Sequence, residues 1–156
     1  MTPLFVQSSA RVRDFFGKDI FDVRFRDAEV MNACFTTDVP TWSEHQEWLA
    51  RQDPRLFYFL IDAEIVNFMG TVRGTWVSAG VVEIHIALHQ DYRGHNIGGW
   101  AVDKFCQAMT GLQVREVRAC VKLDRRIKRY VFWMRNGFAP IQTQQSGCVW
   151  LRRKLG

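Results

Sequence analysis

The clearest pattern in the chain is an alternation of apolar and polar residues over Val81–His89, which predicts a half-buried β-strand. A glycine-bearing turn, Tyr92–Gly99, follows directly. The next residues predict a helix with one buried face, which runs to about Leu112 and is stopped by Gly111. The apolar positions that recur every four residues in that helix are Ile97, Ala101, Phe105 and Met109.

The N-terminal part is predicted to contain one edge strand and several short helices. Gly17 is expected to stop the first helix, and Pro40 prevents a continuous helix through the loop Thr36–Thr41. Asp53-Pro54 is expected to end the last one. The predicted elements are a strand at Leu4–Val6, a helix over Ala10–Phe16, a brief extended piece from Phe21, a helix near Ala28–Phe35 and a helix from Ser43 to about Gln52.

Strands dominate the remainder of the chain. Leu56–Ile61 and Ile65–Val77 are rich in β-branched and aromatic residues, and Gly70 in the second predicts a bulge or a twist. Because no helix intervenes before Val81, these strands are expected to pair antiparallel. The predicted C-terminal elements are a strand at Val114–Val121, a helix over Asp124–Asn136 with Gly137 as its stop, and a hairpin over Gln142–Leu155 that turns at Ser146-Gly147.

The turn before the central helix is suited to binding an anion. Unpaired N–H groups at a helix N-terminus can converge on one point, where the helix dipole adds partial positive charge. Glycines would let a phosphate or pyrophosphate approach the backbone closely. Two familiar phosphate sites are excluded: Gly99-Trp100 stands where a P-loop needs Lys-Ser/Thr, and the repeated β-α-β units of a dinucleotide fold are missing.

Composition and charge narrow the class of protein. The chain has 156 residues, 47% hydrophobic and 24% charged, so one globular domain is expected. The net charge of +5 divides into −3 over residues 1–78 and +8 over residues 79–156. This division either favours an anionic ligand on the C-terminal half and an amine near the N-terminal half, or reflects solvated faces.

Cysteine and histidine spacing argues against a metal site. The cysteines form no C-x-x-C pair and no zinc-ligand spacing with the four histidines, so buried free thiols are expected. The sequence shows no basic-then-apolar signal and no apolar run near 18 residues, which predicts a cytoplasmic protein without a membrane partner. The four cysteines are Cys34, Cys106, Cys120 and Cys148.

Two segments resemble the signature motifs of one enzyme family. His85–Gly98 resembles motif A of the GCN5-related N-acetyltransferases (GNAT), whose turn reads Arg/Gln-x-x-Gly-x-Gly/Ala. Arg93 and Gly98 match, and Asn96 replaces the middle glycine, a mild departure because Asn tolerates a left-handed backbone. Phe132–Phe138 resembles motif B, F-Y-x-x-x-G-F, at the expected distance.

The resemblance implies a fold. A single α/β (α+β) domain is expected, with a mixed, mostly antiparallel sheet of six or seven strands that is splayed at its centre and flanked by about four helices. Acetyl-CoA would lie in the gap between the Leu88 strand and the Val114–Val121 strand. More loosely, Phe25–Gly70 is similar to the branch of amino-sugar-nucleotide acetyltransferases of surface-glycan synthesis and ribosomal-protein N-terminal acetyltransferases.

The resemblance also implies cofactor contacts. The pantetheine amides would bond the backbone of Ala87 and Leu88. The pyrophosphate would lie on the amides of Arg93, Gly94, His95, Asn96, Ile97, Gly98 and Gly99. The basic residues that would meet the 3′-phosphate, or else form a solvated helix face, are Arg125, Arg126, Lys128 and Arg129.

Two positions depart from the family pattern. Trp133 stands where the family has a Tyr near the cofactor sulfur, and Trp cannot donate that proton. Arg126 replaces an Asn that often contacts the cofactor. Tyr130 lies one helical turn before Trp133 and is the predicted substitute donor for the leaving thiolate.

The leading hypothesis is an acetyl-CoA-dependent N-acetyltransferase that transfers the acetyl group directly to a small primary amine. An amino-sugar nucleotide is the preferred acceptor and a protein N-terminus the second. An acyl-CoA-binding module without turnover and a nucleic-acid-binding protein are the alternatives. A small-molecule amine is the expected partner, a homodimer is left open and nucleic acid is disfavoured.

Candidate residues for the acceptor and for proton transfer complete the hypothesis. Glu83 and His85 share one face of the central strand, so either could relay the amine proton through a water. Alternatively, Glu83 pairs with a cross-strand Arg73 and His85 is a hydrogen-bonded sheet residue. The predicted wall of the acceptor pocket, which could instead be half-buried core, comprises Arg26, Trp42, His45 and Trp48.

Overall fold

The computed structural model describes residues 1–33, 38–122, 127–141 and 147–156, and its centre is a seven-stranded mixed sheet. The strands are β1 (Pro3–Gln7), β2 (Phe57–Asp62), β3 (Asn67–Ser78), β4 (Val81–Leu88), β5 (Glu116–Lys122), β6 (Ala139–Pro140) and β7 (Cys148–Lys154). Their order in the sheet is β1-β2-β3-β4-β5-β7-β6. Every neighbouring pair is antiparallel except β4 and β5, which are parallel.

Helices cover both faces of the sheet. They are α1 (Ala10–Phe25), α2 (Ala28–Ala33), α3 (Trp42–Arg51), α4 (Ile97–Gly111) and α5 (Ile127–Arg135). Because successive strand side chains point to opposite faces, β2 contributes to two apolar clusters. Phe57 and Phe59 pack with α1 and α3, whereas Tyr58 and Leu60 pack with α4.

The sheet forks between β4 and β5. Their parallel register comprises three residue pairs, from Val81 opposite Glu116 to Glu83 opposite Arg118. Strand β4 continues to Leu88 with β3 as its partner, while β5 pairs with β7 over Glu116–Lys122, and its described residues past Arg118 no longer pair with β4. The fork, the strand count and the mostly antiparallel pairing confirm the expected fold, with five described helices where about four were expected.

The prediction that Gly17 ends the first helix is wrong. Helix α1 continues through Gly17 to Phe25, so the extended piece expected from Phe21 is also helical. A Cβ at Gly17 would lie 3.5 Å from Leu49 Cδ1, so the glycine lies where α3 packs closely against α1. The carbonyl of Gly17 also accepts a hydrogen bond from His45 Nε2 at 3.2 Å. This glycine therefore serves helix packing and not helix termination.

The start of α3 is also corrected. The helix begins at Trp42, one residue before the expected start at Ser43, and Thr41 is its N-cap residue. The Thr41 hydroxyl accepts from the Glu44 N–H at 3.2 Å, and the Glu44 carboxylate accepts from the Thr41 N–H at 2.7 Å. This reciprocal capping box satisfies two N–H groups that the helix leaves unpaired.

Several predicted boundaries fall partly outside the described residues. The predicted helix end at Phe35, the predicted helix start at Asp124 and the predicted turn residue Ser146 are not among the described residues. Helix α5 ends before Gly137 as expected. The first arm of the C-terminal hairpin is β6, which precedes the expected start at Gln142.

Gly70 marks a bulge, as predicted. The register between β2 and β3 slips by one residue, so that Leu60 faces Gly70 but Ile61 faces Phe68. A Cβ at Gly70 would lie 2.3 Å from the Ala87 carbonyl oxygen, which is closer than any real contact. The backbone of β3 therefore approaches β4 too closely there for a side chain.

Two glycine substitutions should change stability in opposite directions. Gly17→Ala should raise the free energy of unfolding by roughly 0.5–1 kcal/mol, because Ala costs less backbone entropy inside a helix and its Cβ has room. Gly70→Ala should lower it by roughly 1–3 kcal/mol, because the Cβ must displace backbone. Urea denaturation of both variants checks the pair, and equal effects at both sites would contradict the packing described here.

Candidate functional site

The turn that precedes α4 has the backbone shape of an anion cradle. Gly94 has φ +78°, and Asn96 lies in the left-handed region with φ +60° and ψ 12°, as expected from its place in the motif. Asn96 is the N-cap residue of α4, and its side chain accepts no helix-capping hydrogen bond. The first N–H groups of α4, which begins at Ile97, have no partner inside the helix and are available to a ligand.

An open cleft of about 730 Å³ separates the cradle from α5. It brings together Leu88 at the end of β4, the turn and one face of α5. The predicted cofactor residues in its lining are Leu88, Arg93, Gly94, Asn96, Ile97, Gly98 and Gly99, and the α5 side contributes Ile127, Lys128, Val131, Phe132, Arg135 and Asn136. Ala87, His95 and Trp133 lie outside this described lining, and Arg125 and Arg126 lie outside the described residues.

The paired glycines of the cradle have a packing role that the sequence did not indicate. A Cβ at Gly98 would lie 2.9 Å from Phe132 Cε2, and one at Gly99 would lie 2.9 Å from Asn136 Oδ1. Both contacts come from α5 and the residue that follows it. The glycines therefore let α5 close against the start of α4, which sets the width of the cleft.

The guanidinium of Arg93 ties three parts of the site together. Its Nε and Nη2 donate to the Leu88 carbonyl at 3.2 and 2.9 Å. Nη2 also binds Asp27 Oδ2 at 2.6 Å, and Nη1 binds Glu29 Oε2 at 2.9 Å. Arg93 thus connects the end of β4 to α2, and its guanidinium is held by contacts within the protein.

The backbone of β4 offers hydrogen bonds to the open side of the fork. The His89 amide donates to the Met69 carbonyl of β3 at 2.8 Å. In an antiparallel ladder alternate residues point toward the same neighbour, so the backbone of Ala87 also faces β3. The amides and carbonyls of Ile86 and Leu88 therefore face the side that β5 has left.

Glu83 and His85 lie side by side where the fork begins. Glu83 occupies the last parallel pair with β5, and its Oε1 lies 3.6 Å from His85 Nε2. Burial raises the pKa of Glu83, while Arg73 opposes that shift. Burial, with the positive charges of Arg73 and Arg24, lowers the pKa of His85 to about 3. At neutral pH, His85 is therefore uncharged.

The four predicted acceptor residues differ in exposure and in their contacts, and the His45 ring lies between the two indoles, 5.6 Å from that of Trp42 between centroids. His45 is 1% exposed, and burial lowers its pKa; its ring stacks on Trp48 with centroids 5.7 Å apart. Trp42 is 43% exposed and packs edge-on against Phe21. Arg26 pairs with Asp22, one helical turn earlier, at 3.3 Å. His45 thus holds α1 and α3 together, whereas Trp48 lies near the fork.

Trp133 and Tyr130 lie on a different face of α5 from the cleft. Trp133 is buried, with Phe132 and Phe138 packed edge-on at 5.1 and 4.9 Å between centroids. Tyr130 is half-buried and packs against the same apolar cluster. Trp133 is therefore a core residue in this structure, and the role of Tyr130 stays a prediction.

Other kinds of site find little support in the part of the chain that the structure describes. There, no group of three or more His, Cys, Asp or Glu side chains could hold a metal ion. None of the described helices is long and apolar enough to cross a membrane. Cys106, Cys120 and Cys148 are not joined in disulfides within the described residues, and Cys34 lies outside those residues.

Comparison of the sequence with protein families identifies the chain. Residues 23–138 match the Acetyltransferase (GNAT) family, a region that includes both motifs and most of the chain. The chain belongs to this family. The match confirms the resemblance carried by the cradle and by Phe132–Phe138, and it makes the protein an acetyltransferase by family.

Solved structures agree on the GNAT fold at low sequence identity. A phosphinothricin acetyltransferase from Sinorhizobium meliloti, in complex with AcCoA, is 16% identical in sequence and has a TM-score of 0.78. The match covers 100% of this chain and 90% of the chain of that structure. The ribosomal-protein-alanine N-acetyltransferase of Brucella melitensis is 12% identical with TM-score 0.79, covering 97% and 99%. An acetyltransferase from Thermus thermophilus is 17% identical with TM-score 0.77, covering 99% and 98%. A search of curated proteins finds no significant match.

The residues that hold this GNAT site from a distance were not predicted from the sequence. Asp27 caps α2, because its Oδ1 accepts from the amides of Glu29 and Val30 at 3.0 and 3.2 Å. An Asp one residue before a predicted helix was a readable signal for that cap. Its contact with Arg93, 66 residues away in sequence, had no local signal.

The Asp27 carboxylate should contribute acid-sensitive stability. Burial raises the pKa of Asp27, but hydrogen bonds from Arg93 and from two backbone amides outweigh it, so the pKa lies below its ordinary value. A depressed pKa stabilises the fold at pH values above the unfolded pKa of ~3.9, and this stabilisation is lost as the pH falls through the folded pKa. Asp27→Asn, which keeps the capping oxygen, should therefore cost about 1–2 kcal/mol at neutral pH and less near pH 3.

Urea denaturation at both pH values measures this difference. Asp91→Asn is the matched control, because Asp91 is 70% exposed. It should change stability by less than about 0.5 kcal/mol. A constant penalty for Asp27→Asn across the pH range would contradict the ion pair with Arg93.

Proposed function

We propose that this protein transfers an acetyl group from acetyl-CoA directly to a small primary amine. The observation that carries the proposal is the fork: β4 and β5 separate after Glu83, and the anion cradle lies at the mouth of the gap. A thioester laid along the open edge of β4 would lie on the same strand as Glu83 and His85, either of which would take the amine proton through intervening water. The family and its AcCoA-bound relative support this choice of acyl donor.

The cradle and the β4 edge would bind acetyl-CoA. The pyrophosphate would accept hydrogen bonds from the amides at the start of α4, aided by Lys128 and Arg135 across the cleft. The pantetheine would form hydrogen bonds with the backbone of Ile86 and Leu88. These two residues flank Ala87, the predicted contact, whose own backbone faces β3. Arg126 remains a predicted contact of the 3′-phosphate. His95, in the turn, remains a predicted contact of the pyrophosphate.

Direct transfer needs positioning more than a covalent intermediate. The amine nitrogen attacks the thioester carbonyl, and the developing oxyanion would accept a hydrogen bond from the Leu88 N–H on the open edge. The bond to sulfur then breaks, and CoA leaves as a thiol or thiolate. Tyr130 remains the predicted donor to that sulfur.

The charges at the fork favour Glu83 over His85 as the proton acceptor. An ammonium with a pKa near 8–10 must lose a proton before attack, and an imidazole with a pKa of about 3 is a weak base for that task. Burial gives Glu83 a raised pKa and so a stronger basicity. Neutral His85, 3.6 Å away, would orient the carboxylate.

An amino-sugar nucleotide remains the leading acceptor within this proposal, since an exposed indole such as Trp42 can stack on a base. A protein N-terminus is the second, and the ribosomal-protein-alanine N-acetyltransferase among the similar structures keeps it open. A binding module without turnover would bind acetyl-CoA and release no CoA with any amine.

A charge added to the cradle should test cofactor binding. Asn96→Asp keeps a residue that tolerates the left-handed backbone but places a carboxylate beside the pyrophosphate, so affinity for acetyl-CoA should fall by about tenfold or more. Asn96→Gly keeps the backbone without the charge and should bind within about threefold of wild type. Calorimetry measures both, and equal affinities for the two variants would remove the cradle from the proposal.

The pH dependence of turnover should separate Glu83 from His85. Because the Glu83 pKa is raised and its base form is needed, kcat should fall as pH drops through a value above the ordinary 4.5. Glu83→Gln should lower kcat by roughly 10²-fold and abolish that limb. His85→Gln should keep the limb, because its pKa lies far below it. A wild-type profile in Glu83→Gln would show that solvent takes the proton.

A further inference from the structure

One arginine of β7 fastens the C-terminal end of α5 to α4. Arg153 Nη1 donates to Asp103 Oδ1 of α4 at 2.7 Å. It also donates to the carbonyl oxygen of Asn136, the residue that follows α5, at 3.1 Å. The hydrogen bond with Asp103 raises the pKa of Arg153, which therefore stays charged. A single guanidinium thus joins α4, the end of α5 and β7.

Arg153 acts as a C-terminal cap of α5. Gly137, with φ +85°, is the residue at which the chain leaves the helix, and a Cβ there would lie 3.4 Å from Arg153 Cδ. The stem of the arginine therefore lies close over this glycine. Carbonyl groups at the end of a helix lack partners inside it, and a positive charge there is favourable. Arg153 supplies both a donor and a charge at that end.

The residue that Arg153 holds lies in the wall of the cofactor cleft. Asn136 and Phe132 line the cleft together with Gly98 and Gly99 of the cradle. Asn136 Nδ2 donates to the Phe132 carbonyl at 2.7 Å, and its Oδ1 would lie 2.9 Å from a Cβ at Gly99. A movement of Asn136 would therefore move this wall relative to the first turn of α4, where the amides available to a pyrophosphate lie.

The ion pair of Arg153 is better suited to placing α5 than to stabilising the fold. The side chain of Asp103 is 58% exposed and that of Arg153 is 29% exposed. Ion pairs open to water contribute little to the free energy of unfolding, because water screens the charges. A small displacement of a binding wall, in contrast, has a large effect on a ligand that must contact both sides.

We propose that Arg153 is a positioning residue for acetyl-CoA and acts through Asn136. It lies outside the described lining of the cleft, so its effect on the cofactor is indirect. It holds the end of α5 at the distance from the cradle at which the phosphates of CoA meet both walls. This inference rests on the proposed function, because it concerns the same cleft. Its signature is weaker binding of CoA with the chemical step unchanged.

Calorimetry with CoA tests the proposal without turnover. Arg153→Met keeps an unbranched apolar stem but removes both donors, so the Kd for CoA should rise by about fivefold to tenfold. Arg153→Lys keeps a charged donor without the planar fork, and its Kd should lie between those of Arg153→Met and the wild type. Asp103→Ala leaves the contact with the Asn136 carbonyl and should raise the Kd by about threefold.

The neighbouring arginine provides a matched control. Arg152 adjoins Arg153 in β7 and points to the opposite face of the sheet, where it lies 3.7 Å from Glu116. Its side chain is 39% exposed, so the two substitutions remove comparable charges from the same strand. Arg152→Met should therefore bind CoA within about twofold of the wild type.

Kinetics separate positioning from a general loss of structure. With an amine that the wild type acetylates, Arg153→Met should raise the KM for acetyl-CoA by the same factor as the Kd for CoA. The kcat and the KM for the amine should change by less than about twofold, because the chemical step is untouched. Thermal unfolding of each variant checks the fold, and Asp103→Ala provides the same test if Arg153→Met does not fold.

The outcomes distinguish this inference from the proposed function. Unchanged CoA affinity in Arg153→Met, or an equal loss in Arg152→Met, overturns the positioning role and leaves the acetyltransferase proposal standing. A parallel loss of kcat and of amine binding overturns it as well, since it indicates general damage. Weaker CoA binding in Arg153→Met, with no CoA release by the wild type for any amine, supports the positioning role and counts against the acetyltransferase proposal. A wild type that does not bind CoA overturns both.

Discussion

The unequal pairing of β4 is the constraint on which the site depends. On one side β4 follows β3 as far as Leu88, and on the other it shares three residue pairs with β5. Among the described residues, no strand pairs with the β5-facing edge of β4 beyond Glu83, and the hydrogen-bonding groups on that edge must find other partners. Arg93 fills one of them by donating twice to the Leu88 carbonyl. The remaining groups on that edge are what a thioester cofactor could use.

Close packing on the other side of the gap sets its dimensions. Gly98 and Gly99 admit Phe132 and Asn136 to distances that no Cβ would permit. The same glycines stand at the start of α4, where unpaired amides collect. One short segment therefore does two things, since it presents the donors and fixes how far away the opposite wall lies.

The sequence predicted the parts of this structure that depend on local patterns. The β4 alternation, the apolar face of α4, the left-handed Asn96 and the stop at Gly137 all follow from neighbours within a few residues. Gly17 was misjudged because the contact that makes it a helix-interior residue comes from α3. The residues near His45 in sequence do not show that its ring will be buried and hydrogen-bonded to the Gly17 carbonyl. Likewise, the residues near Trp48 do not show that Arg24 and Arg73 will lie over its ring.

The contact of Arg93 with α2 has an evolutionary consequence. Asp27 and Glu29 are separated from Arg93 by more than sixty residues, yet the three side chains form one charged group. Loss of one acid leaves part of a half-buried guanidinium charge unmatched, so substitutions at these positions should not add independently. Among descendants of this sequence, Arg93 and Asp27 are expected to change together or not at all. Substitutions at the start of α2 would therefore be limited by the turn that contains Arg93, which lies more than sixty residues later in the sequence.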